Sequence, residues 1–428
     1  MSEAKRTVPS VLFIHENFPA QFGALADALA SRGWTVVFAT QKETITPKKV
    51  HRLSSGVRVI RYERARAPSD SLHPYLRVSE NAVLNGQGFA RLGLELSKKG
   101  FKPDIIMAHS GWGSGSFAKV IWPEAKLIQY LEWWYNFPAP DVEDMDLPNR
   151  SNVDWHARTL ARNLPFFLDF QQADMVVTPT NFQASQAPDF VQQKLIIQHD
   201  GIDCDFFAPG KPGDDAFKID GLPDDAPIVT FATRGMEPMR GFPTFMAAAE
   251  KLLKERTDVH VVIAGNPKAH YGPEPKGFKT WKEKCLSEHS YDEARLHFTG
   301  PLPKNRYAQL LRRTNAHVYL TRPFVLSWSL LEAMASGAPV IASDVAPVRE
   351  VGESLEHFRT IQLDAPDQLY DQIGWVLDRP EKAKKMGLRA RDEVVANYSA
   401  QQAHDVFEHL MRSQLEDLAA FRRAVMEA

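Results

Sequence analysis

The sequence predicts an α/β protein built from two Rossmann-like, doubly wound domains that face a central cleft. Residues 318–344 read without interruption as strand, loop, helix, tight turn and strand, and residues 10–40 follow a similar order near the start of the chain. The length of 428 residues exceeds the roughly 250–300 at which a single core stops growing. Units of this kind direct helix N-termini at the carboxyl edge of a parallel sheet, where anionic ligands bind.

Composition and charge argue against several classes of protein. A net charge of −2 gives no general reason to expect a nucleic-acid partner. No apolar run approaches the roughly 18–20 residues that a membrane span needs. The first ten residues lead directly into a strand, so no signal peptide is expected. Cys204 and Cys285 lie too far apart to suggest a disulfide framework or a metal site, which favours a reducing, cytoplasmic setting.

The first half of the chain contains predicted strands whose ends carry polar residues. These strands are predicted at 10–15, 35–40, 57–62, 103–109, 126–130, 174–178 and 195–197. The loop after the first strand holds Gly23 but lacks a GxGxxG, so no dinucleotide fingerprint is present, and Gly23 could equally serve helix packing. His109 ends a strand beside glycines, where α/β folds bind ligands; a core histidine bonded to the backbone is the alternative.

Aromatic residues surround the next predicted strand end. Glu132 precedes Trp133, Trp134 and Tyr135, and Trp112 lies in the HSGWG segment after His109. Aromatic faces beside a carboxylate suit a sugar, but tryptophan and tyrosine also pack in cores, so both interpretations stay open. The residues predicted for the acceptor or sugar side are Trp112, Glu132 and Trp133.

The second half repeats the alternation of strands and helices after a stretch rich in proline and glycine. Residues 209–227 are predicted to be the linker, and the predicted domains are 1–205 and 206–399. Strands are predicted at 228–232, 259–264 and 296–299, with helices at 243–255, 305–312, 368–378 and 381–398. A long amphipathic helix from about residue 400 to 428 is predicted to pack back on the first domain.

The loop TRGMEPMRG, residues 233–241, carries two arginines. Arg234 and Arg240 flank Glu237, and a planar guanidinium can donate two parallel hydrogen bonds to phosphate oxygens. The helix that follows adds positive potential at its N-terminus. The loop therefore predicts a diphosphate site, with two unrelated surface arginines as the alternative.

Several segments together resemble the family 4 glycosyltransferases of the GT-B fold, in a bacterial branch of that family. The resemblance covers most of the chain, and it is specific through the combination of segments rather than through any one of them. In the first half it is carried by residues 17–40, by HSGWG (109–113), by AKLIQYLEWWYN (125–136) and by HDGID (199–203), which replaces the commoner NGID. In the second half it is carried by RGMEPMRG (234–241), AGNP (264–267), FTG (298–300) and LLEAMASGAPVIASD (330–344).

The resemblance assigns roles to individual residues. Arg234 and Arg240 match the basic pair that holds the donor diphosphate, with arginine replacing the usual lysine at 240. Glu332 matches the second glutamate of the E-x7-E pattern, which binds the nucleotide ribose. His109 matches the strand-end histidine near the transferred sugar. The predicted catalytic residues are therefore His109, Arg234 and Arg240.

The predicted donor site is larger, and it contains one departure from the family pattern. Its residues are Gly23, Arg234, Glu237, Arg240, Gly241, Gly265, Gly300, Ser327, Trp328, Ser329 and Glu332. Phe324 stands eight residues before Glu332, where the pattern has a glutamate that contacts sugar hydroxyls. The identity of the donor sugar therefore stays open.

The resemblance implies transfer of a hexosyl group from a UDP- or GDP-sugar to an unknown acceptor, with retention of anomeric configuration, in bacterial polysaccharide or glycoconjugate synthesis. No cofactor is expected beside the nucleotide-sugar co-substrate. No DxD pair stands at an obvious strand end, so no divalent metal is expected. A GT-B epimerase or phosphorylase is one alternative, and a non-catalytic nucleotide-sugar-binding protein is another, since Phe324 replaces a functional carboxylate.

The acceptor and any contact with a membrane are less defined. A saccharide, a lipid-linked molecule and a protein side chain all remain open as acceptors. A run of basic residues could contact anionic lipids at the inner face of the cytoplasmic membrane, or it could be a solvated face. This run consists of Lys48, Lys49, Arg52, Arg58, Arg61, Arg64 and Arg66.

Overall fold

The chain divides into two compact units in the computed structural model, which describes residues 8–41, 43, 56–141, 153–211 and 213–427. The first unit takes Met1–Ala139, Asp144–Gly201 and Ala400–Ala428, and the second takes Pro140–Glu143 and Ile202–Ser399. The main division therefore falls at Gly201, slightly before the predicted residue 205.

Seven parallel strands form the sheet of the first unit, in the order β3-β2-β1-β4-β5-β6-β7. The order reverses direction between β1 and β4, which is where ligands bind in open sheets of this type. The strands are β1 (Ser10–His15), β2 (Thr35–Gln41), β3 (Val57–Tyr62), β4 (Ile105–His109), β5 (Lys126–Tyr130), β6 (Met175–Thr178) and β7 (Leu195–Ile197).

The central strands β1, β4, β5 and β6 are almost entirely buried because helices cover both faces of the sheet. All six residues of β1 are buried. The helix after β1 buries Leu25 and Leu29, which lie one turn apart on the same face. The described helices up to residue 201 are α1 (Gly23–Ser31), α2 (Arg77–Lys98), α3 (Ala118–Ile121), α4 (Val153–Arg162), α5 (Leu164–Gln172), α6 (Asn181–Gln186) and α7 (Asp189–Gln192).

Six parallel strands form the sheet of the second unit, in the order β10-β9-β8-β11-β12-β13. The strands are β8 (Ile228–Gly235), β9 (His260–Asn266), β10 (Leu296–Gly300), β11 (Ala316–Tyr319), β12 (Val340–Ser343) and β13 (Arg359–Ile361). The described helices of this unit are α8 (Phe242–Glu255), α9 (Trp281–Glu288), α10 (Lys304–Arg313), α11 (Trp328–Ala335), α12 (Ala346–Arg349), α13 (Pro366–Asp378) and α14 (Pro380–Asn397). The predicted fold class, two α/β units with Rossmann-like parallel sheets, is confirmed.

The prediction that residues 209–227 form a linker between the domains is wrong, because the segment belongs to the second unit and packs on it. Phe217 is 3% exposed and packs in a cluster with Ile228, Val262 and Leu310 of the second unit. The described residues of the segment form no helix or strand, because proline and glycine disfavour both. The same composition is typical of linkers. Ile219 and Leu222 pack against the same cluster, so several apolar side chains hold the segment to the sheet.

The last helix, α15 (Ala400–Glu427), belongs to the first unit. Phe407 and Met411 are buried in the core that β1 and α1 share. Glu408 accepts hydrogen bonds from Arg32 Nη1 at 2.8 Å and from Trp34 Nε1 at 3.0 Å. Apolar burial and a charged contact therefore hold the same helix against α1.

The basic run of the first half is only partly solvated. Arg58, Arg61 and Arg66 are exposed, and Arg66 pairs with Glu80 at 2.6 Å, whereas the half-buried Arg64 donates to Asn81 at 2.6 Å. Its other three members, Lys48, Lys49 and Arg52, lie outside the described residues. Across the described helices, none is both long enough and apolar enough to cross a membrane.

Candidate active site

Histidine side chains end two adjacent strands of the first unit. His15 is the last residue of β1 and His109 is the last residue of β4, and the two strands pair directly. Their ring centroids are 4.6 Å apart, and both side chains are almost fully buried. The switch point of the sheet therefore brings together two imidazoles that are far apart in the sequence.

A chain of hydrogen bonds joins His15 to Glu132, which also lies within ion-pair distance of His109. His15 Nε2 lies 3.0 Å from Gln21 Oε1, and Gln21 Nε2 donates to Glu132 Oε1 at 3.0 Å. The other carboxylate oxygen, Oε2, lies 3.7 Å from His109 Nε2. Glu132 is thus held between Gln21, in the turn before α1, and His109, at the end of β4. These groups lie at the same edge of the sheet as Gly23, the buried first residue of α1.

The backbone contacts assign the tautomers of both histidines. His15 Nδ1 accepts from the Asn17 N–H at 2.8 Å, so the proton of the neutral ring is on Nε2, which donates to Gln21. Burial, reinforced by repulsion from His109, holds the pKa of His15 well below its usual value, which keeps this ring neutral. His109 Nδ1 lies 3.0 Å from the Ser110 carbonyl oxygen, a pure acceptor. Its Nε2 therefore remains as the nitrogen that can interact with Glu132 or with a ligand.

A cavity of about 400 Å³ opens beside this cluster within the first unit. His109, Trp112, Glu132 and Trp133 all line it, so the predicted catalytic histidine and the predicted sugar-side residues share one space. Trp112 is 39% exposed, whereas Trp133 is 6% exposed. Trp134, by contrast, packs in an apolar cluster. Of the adjacent aromatic residues, Trp133 therefore lines a cavity that could hold a sugar, whereas Trp134 packs in the core.

Asp169 fixes the loop that carries Trp112. Its carboxylate accepts from the Gly111 N–H at 2.8 Å and from the Ser116 hydroxyl. Burial raises the pKa of Asp169 to about 6, although these two hydrogen bonds oppose the rise. The loop geometry at the cavity thus depends on a buried carboxyl from helix α5.

The two predicted diphosphate arginines of the second unit differ in their surroundings. Arg234, near the end of β8, is exposed, whereas Arg240 is 9% exposed. Arg240 Nη1 donates to Thr321 Oγ1 at 2.7 Å, and its guanidinium lies over the ring of Tyr271 at 5.2 Å. Within the described residues no carboxylate forms an ion pair with Arg240. A nearly buried guanidinium of this kind is typical of an anion-binding site.

Glu237 lies beneath a loop rather than beside an open surface. It is 1% exposed, and its Oε2 accepts from the backbone N–H groups of His270 and Tyr271 at 2.9 and 2.7 Å. The ring of Phe324 contacts the Tyr271 ring at 5.5 Å in an edge-on arrangement. Glu237 thereby positions an aromatic pair next to Arg240, and a direct contact with a donor stays a prediction.

Two glycines permit the close approach of chain segments around the end of β8. Gly241 has φ +63° at the start of α8, and a Cβ there would lie 2.5 Å from Leu320 Cβ. Gly265 has φ +141°, and a Cβ there would lie 2.0 Å from the Thr233 carbonyl oxygen. Any larger residue would push the β8–α8 loop away from its neighbours. Gly300 is the last residue of β10.

The start of α11 gathers the remaining predicted donor residues. Ser327 caps the helix by accepting from the Ser329 N–H at 3.4 Å, and Trp328 is 39% exposed. Glu332 is half-buried one turn further on, and its carboxylate makes no hydrogen bond within the described residues. Burial raises the pKa of Glu332 to about 7, while the charge of Lys304 opposes the rise. A carboxyl in this state is a candidate binding group for a ligand.

Sequence patterns missed several residues that shape these sites: His15, Gln21, Asp169 and Tyr271. His15 could have been found from its place at a strand end, like His109. The other three have no local signal, because each acts on a residue far away in the chain. In the described part of the chain, no three histidine, cysteine or acidic side chains converge in a way that could hold a metal ion.

The chain matches models of known families over both units. Residues 32–207 match the model described as "Glycosyl transferase family 4 group", and residues 214–393 match "Glycosyl transferases group 1". The chain belongs to the family 4 glycosyltransferases. This confirms the resemblance seen in the sequence, and it makes the protein a transferase.

Other proteins are similar to this glycosyltransferase in sequence or in structure. The D-inositol 3-phosphate glycosyltransferase of Acidothermus cellulolyticus is 23% identical over 368 residues, which cover 83% of this chain and 76% of that protein. Sucrose-phosphate synthase from Thermosynechococcus elongatus superposes with a TM-score of 0.71 at 18% identity, over 96% of this chain and 100% of that one. Anabaena HepE in complex with UDP-glucose superposes with a TM-score of 0.67 at 14% identity, over 94% of this chain and 99% of that one. At these identities the two structures show the GT-B fold alone.

Proposed function

We propose that this glycosyltransferase moves a hexosyl group from a UDP- or GDP-sugar to an acceptor hydroxyl, with retention of anomeric configuration, in bacterial polysaccharide or glycoconjugate synthesis. The observation that carries the proposal is the nearly buried Arg240, a fixed positive charge without an internal carboxylate partner among the described residues. It stands where a strand leads into a helix N-terminus, the usual position of a phosphate site in α/β units.

The chemistry follows from where charge develops. The bond between the sugar and the diphosphate breaks, a bond to the acceptor oxygen forms, and the hydroxyl proton of the acceptor passes to an oxygen of the departing diphosphate. Negative charge accumulates on the departing diphosphate, and preorganised donors at that position lower the barrier. Arg240 and Arg234 would supply this stabilisation as guanidiniums, so we propose that no divalent metal is required. Glu332 would accept hydrogen bonds from the ribose.

The cavity of the first unit supports an acceptor or sugar site. A polyol can stack its apolar face on Trp112 and present hydroxyls to Glu132 and to Nε2 of His109. The Acidothermus relative is named for D-inositol 3-phosphate, and the HepE structure holds UDP-glucose. We therefore place inositol phosphates first among the acceptors to test and UDP-sugars first among the donors.

The test is product formation by the full chain with UDP-glucose, UDP-N-acetylglucosamine or GDP-mannose as donor and D-inositol 3-phosphate as the first acceptor. The expected result is a glycosylated product from one nucleotide class, with the anomeric configuration of the donor as read from the one-bond C1–H1 coupling constant in NMR. Activity that persists in excess EDTA would support metal independence. Absence of both transfer and nucleotide binding would contradict the proposal.

A second candidate is a non-catalytic nucleotide-sugar-binding protein. It is favoured by Phe324, which occupies the position of a family glutamate and packs on Tyr271. Tight binding of a nucleotide sugar without transfer, epimerisation or hydrolysis, across a broad set of acceptors, would support this candidate over the transferase.

A further inference from the structure

Two arginine side chains are withdrawn from water at the carboxyl edge of the second unit's sheet. Arg240 is 9% exposed and Arg322 is 6% exposed. Arg240 Nη1 donates to Thr321 Oγ1, the residue before Arg322, and the Arg322 backbone N–H donates to the Met239 carbonyl oxygen at 3.1 Å. Reciprocal bonds thus tie the end of β11 to the turn before α8, and each of these segments contributes one guanidinium.

Ion pairs to these two guanidiniums are few among the described residues. Within the described residues their one ion pair joins Arg322 Nη2 to Asp364 Oδ2 at 3.3 Å, and the Asp364 side chain is 66% exposed. The Nε of Arg322 is buried and has no hydrogen-bond partner in the described part of the chain. Among the described residues, the one carboxylate that forms an ion pair with either guanidinium is therefore a carboxylate that water screens. A buried charge with so few partners favours an anionic ligand.

We propose that Arg322 is a further diphosphate-binding residue, and that Asp364 is the anion that Arg322 holds until a nucleotide diphosphate replaces it. The inference rests on the proposed function, because it assigns Arg322 to the diphosphate of the same donor. A diphosphate carries more charge and more acceptor oxygens than one carboxylate, so it satisfies both guanidiniums better. Asp364 competes with the ligand for Arg322.

This competition distinguishes the proposal from a structural ion pair. If the pair only supported the fold, removal of either partner would act in the same direction on stability and would not strengthen ligand binding. If Asp364 competes with a diphosphate, substitution of Arg322 weakens the binding of the diphosphate and substitution of Asp364 strengthens it. Arg322→Ala removes a ligand contact, and Asp364→Asn removes a competitor.

The experiment is calorimetric titration of the full chain with UDP and with GDP, for the wild type and five variants. Arg240→Ala reports on the donor site itself. Arg322→Ala is expected to raise the Kd of the better ligand about ten- to hundredfold, which corresponds to the loss of charge-assisted hydrogen bonds. The Kd of Arg322→Lys is expected to lie between the values for Arg322→Ala and the wild type, because lysine keeps the charge but lacks the planar guanidinium. Asp364→Asn is expected to lower the Kd about three- to tenfold.

The matched control is Arg256→Ala. Arg256 follows the other end of α8 and pairs with Asp258 at 3.2 Å and Asp378 at 2.6 Å, so the variant removes ion pairs of the same type outside the site. Its Kd is expected to equal that of the wild type. Melting curves without ligand establish that each variant is folded, and Arg322→Lys tests the site if Arg322→Ala does not fold.

Each outcome has a defined meaning. If Arg240→Ala weakens binding but Arg322→Ala and Arg322→Lys do not, the assignment of Arg322 is overturned and the proposed function stands. If Asp364→Asn weakens binding as Arg322→Ala does, the pair is structural and the competition is overturned. If the wild type binds neither UDP nor GDP, both the inference and the proposed donor are overturned.

Discussion

Replacement of Glu332 by glutamine is expected to stabilise the ligand-free protein while weakening its binding of nucleotide. Burial raises the pKa of Glu332 from 4.5 to about 7. A carboxyl with a higher pKa in the folded than in the unfolded state binds its proton more tightly when folded. The free energy of unfolding therefore falls as the pH rises from about 4.5 to about 7, and glutamine removes this loss.

The expected gain in the free energy of unfolding follows from the size of the pKa shift of Glu332. The rise from 4.5 to about 7 corresponds to about 3 kcal/mol, at about 1.4 kcal/mol per pKa unit. Because Glu332 is only half-buried, water screens part of this term, and about 1–2 kcal/mol is expected at pH 8. At pH 4.5 the difference between the two proteins is expected to shrink to a few tenths of a kcal/mol.

Urea unfolding of Glu332→Gln and wild type at pH 4.5 and pH 8 measures this difference. Glu293→Gln is the control, since Glu293 is exposed in the same unit and its substitution should change nothing at either pH. Affinity for the nucleotide diphosphate should fall about tenfold at pH 8, because a neutral amide replaces the charged acceptor. A destabilised variant at pH 8, or a gain of equal size at both pH values, would refute the reasoning.

Three further predictions concern the loop between β8 and α8, the cavity and the last helix. Gly241→Ala should lower the free energy of unfolding by about 2–4 kcal/mol through backbone strain and the clash with Leu320, whereas Gly277→Ala, also at positive φ but with open space around it, should cost about 1 kcal/mol in urea unfolding. Trp112→Ala should raise the KM for the acceptor and leave the KM for the donor unchanged in steady-state kinetics; equal changes in both would contradict a cavity confined to the acceptor. For Glu408, burial acts to raise the pKa, but hydrogen bonds from basic and indole groups together lower it to about 2, so its contribution is present above about pH 4.5 and lost as the pH falls toward 2. Glu408→Gln should therefore lower stability by about 1–2 kcal/mol at pH 7 and by much less near pH 2, as measured by thermal unfolding, and an effect of equal size at both pH values would contradict this.

Local patterns were sufficient for most of the elements of this chain. The strands at Ser10–His15 and Val340–Ser343 are short apolar runs bounded by turn residues, and periodicity of this kind is a property of neighbouring residues. The loop with Arg234 and Arg240 was also visible, because both arginines belong to one continuous segment between a strand and a helix. The same local reasoning failed for residues 209–227. Their proline and glycine content predicts a linker, but Phe217 packs against Val262 and Leu310, which are distant in the sequence.

What the sequence by itself determined is therefore the fold class, the order of the elements and the segments that carry charge at strand ends. Tertiary structure alone decided which of these segments meet within a unit. Gln21 contacts Glu132, Asp169 holds Gly111 and Thr321 accepts from Arg240 because parallel crossovers bring strand ends that are distant in the chain to one edge of a sheet. Burial, partners and pKa depend on those long-range contacts, and no pattern of adjacent residues contains them.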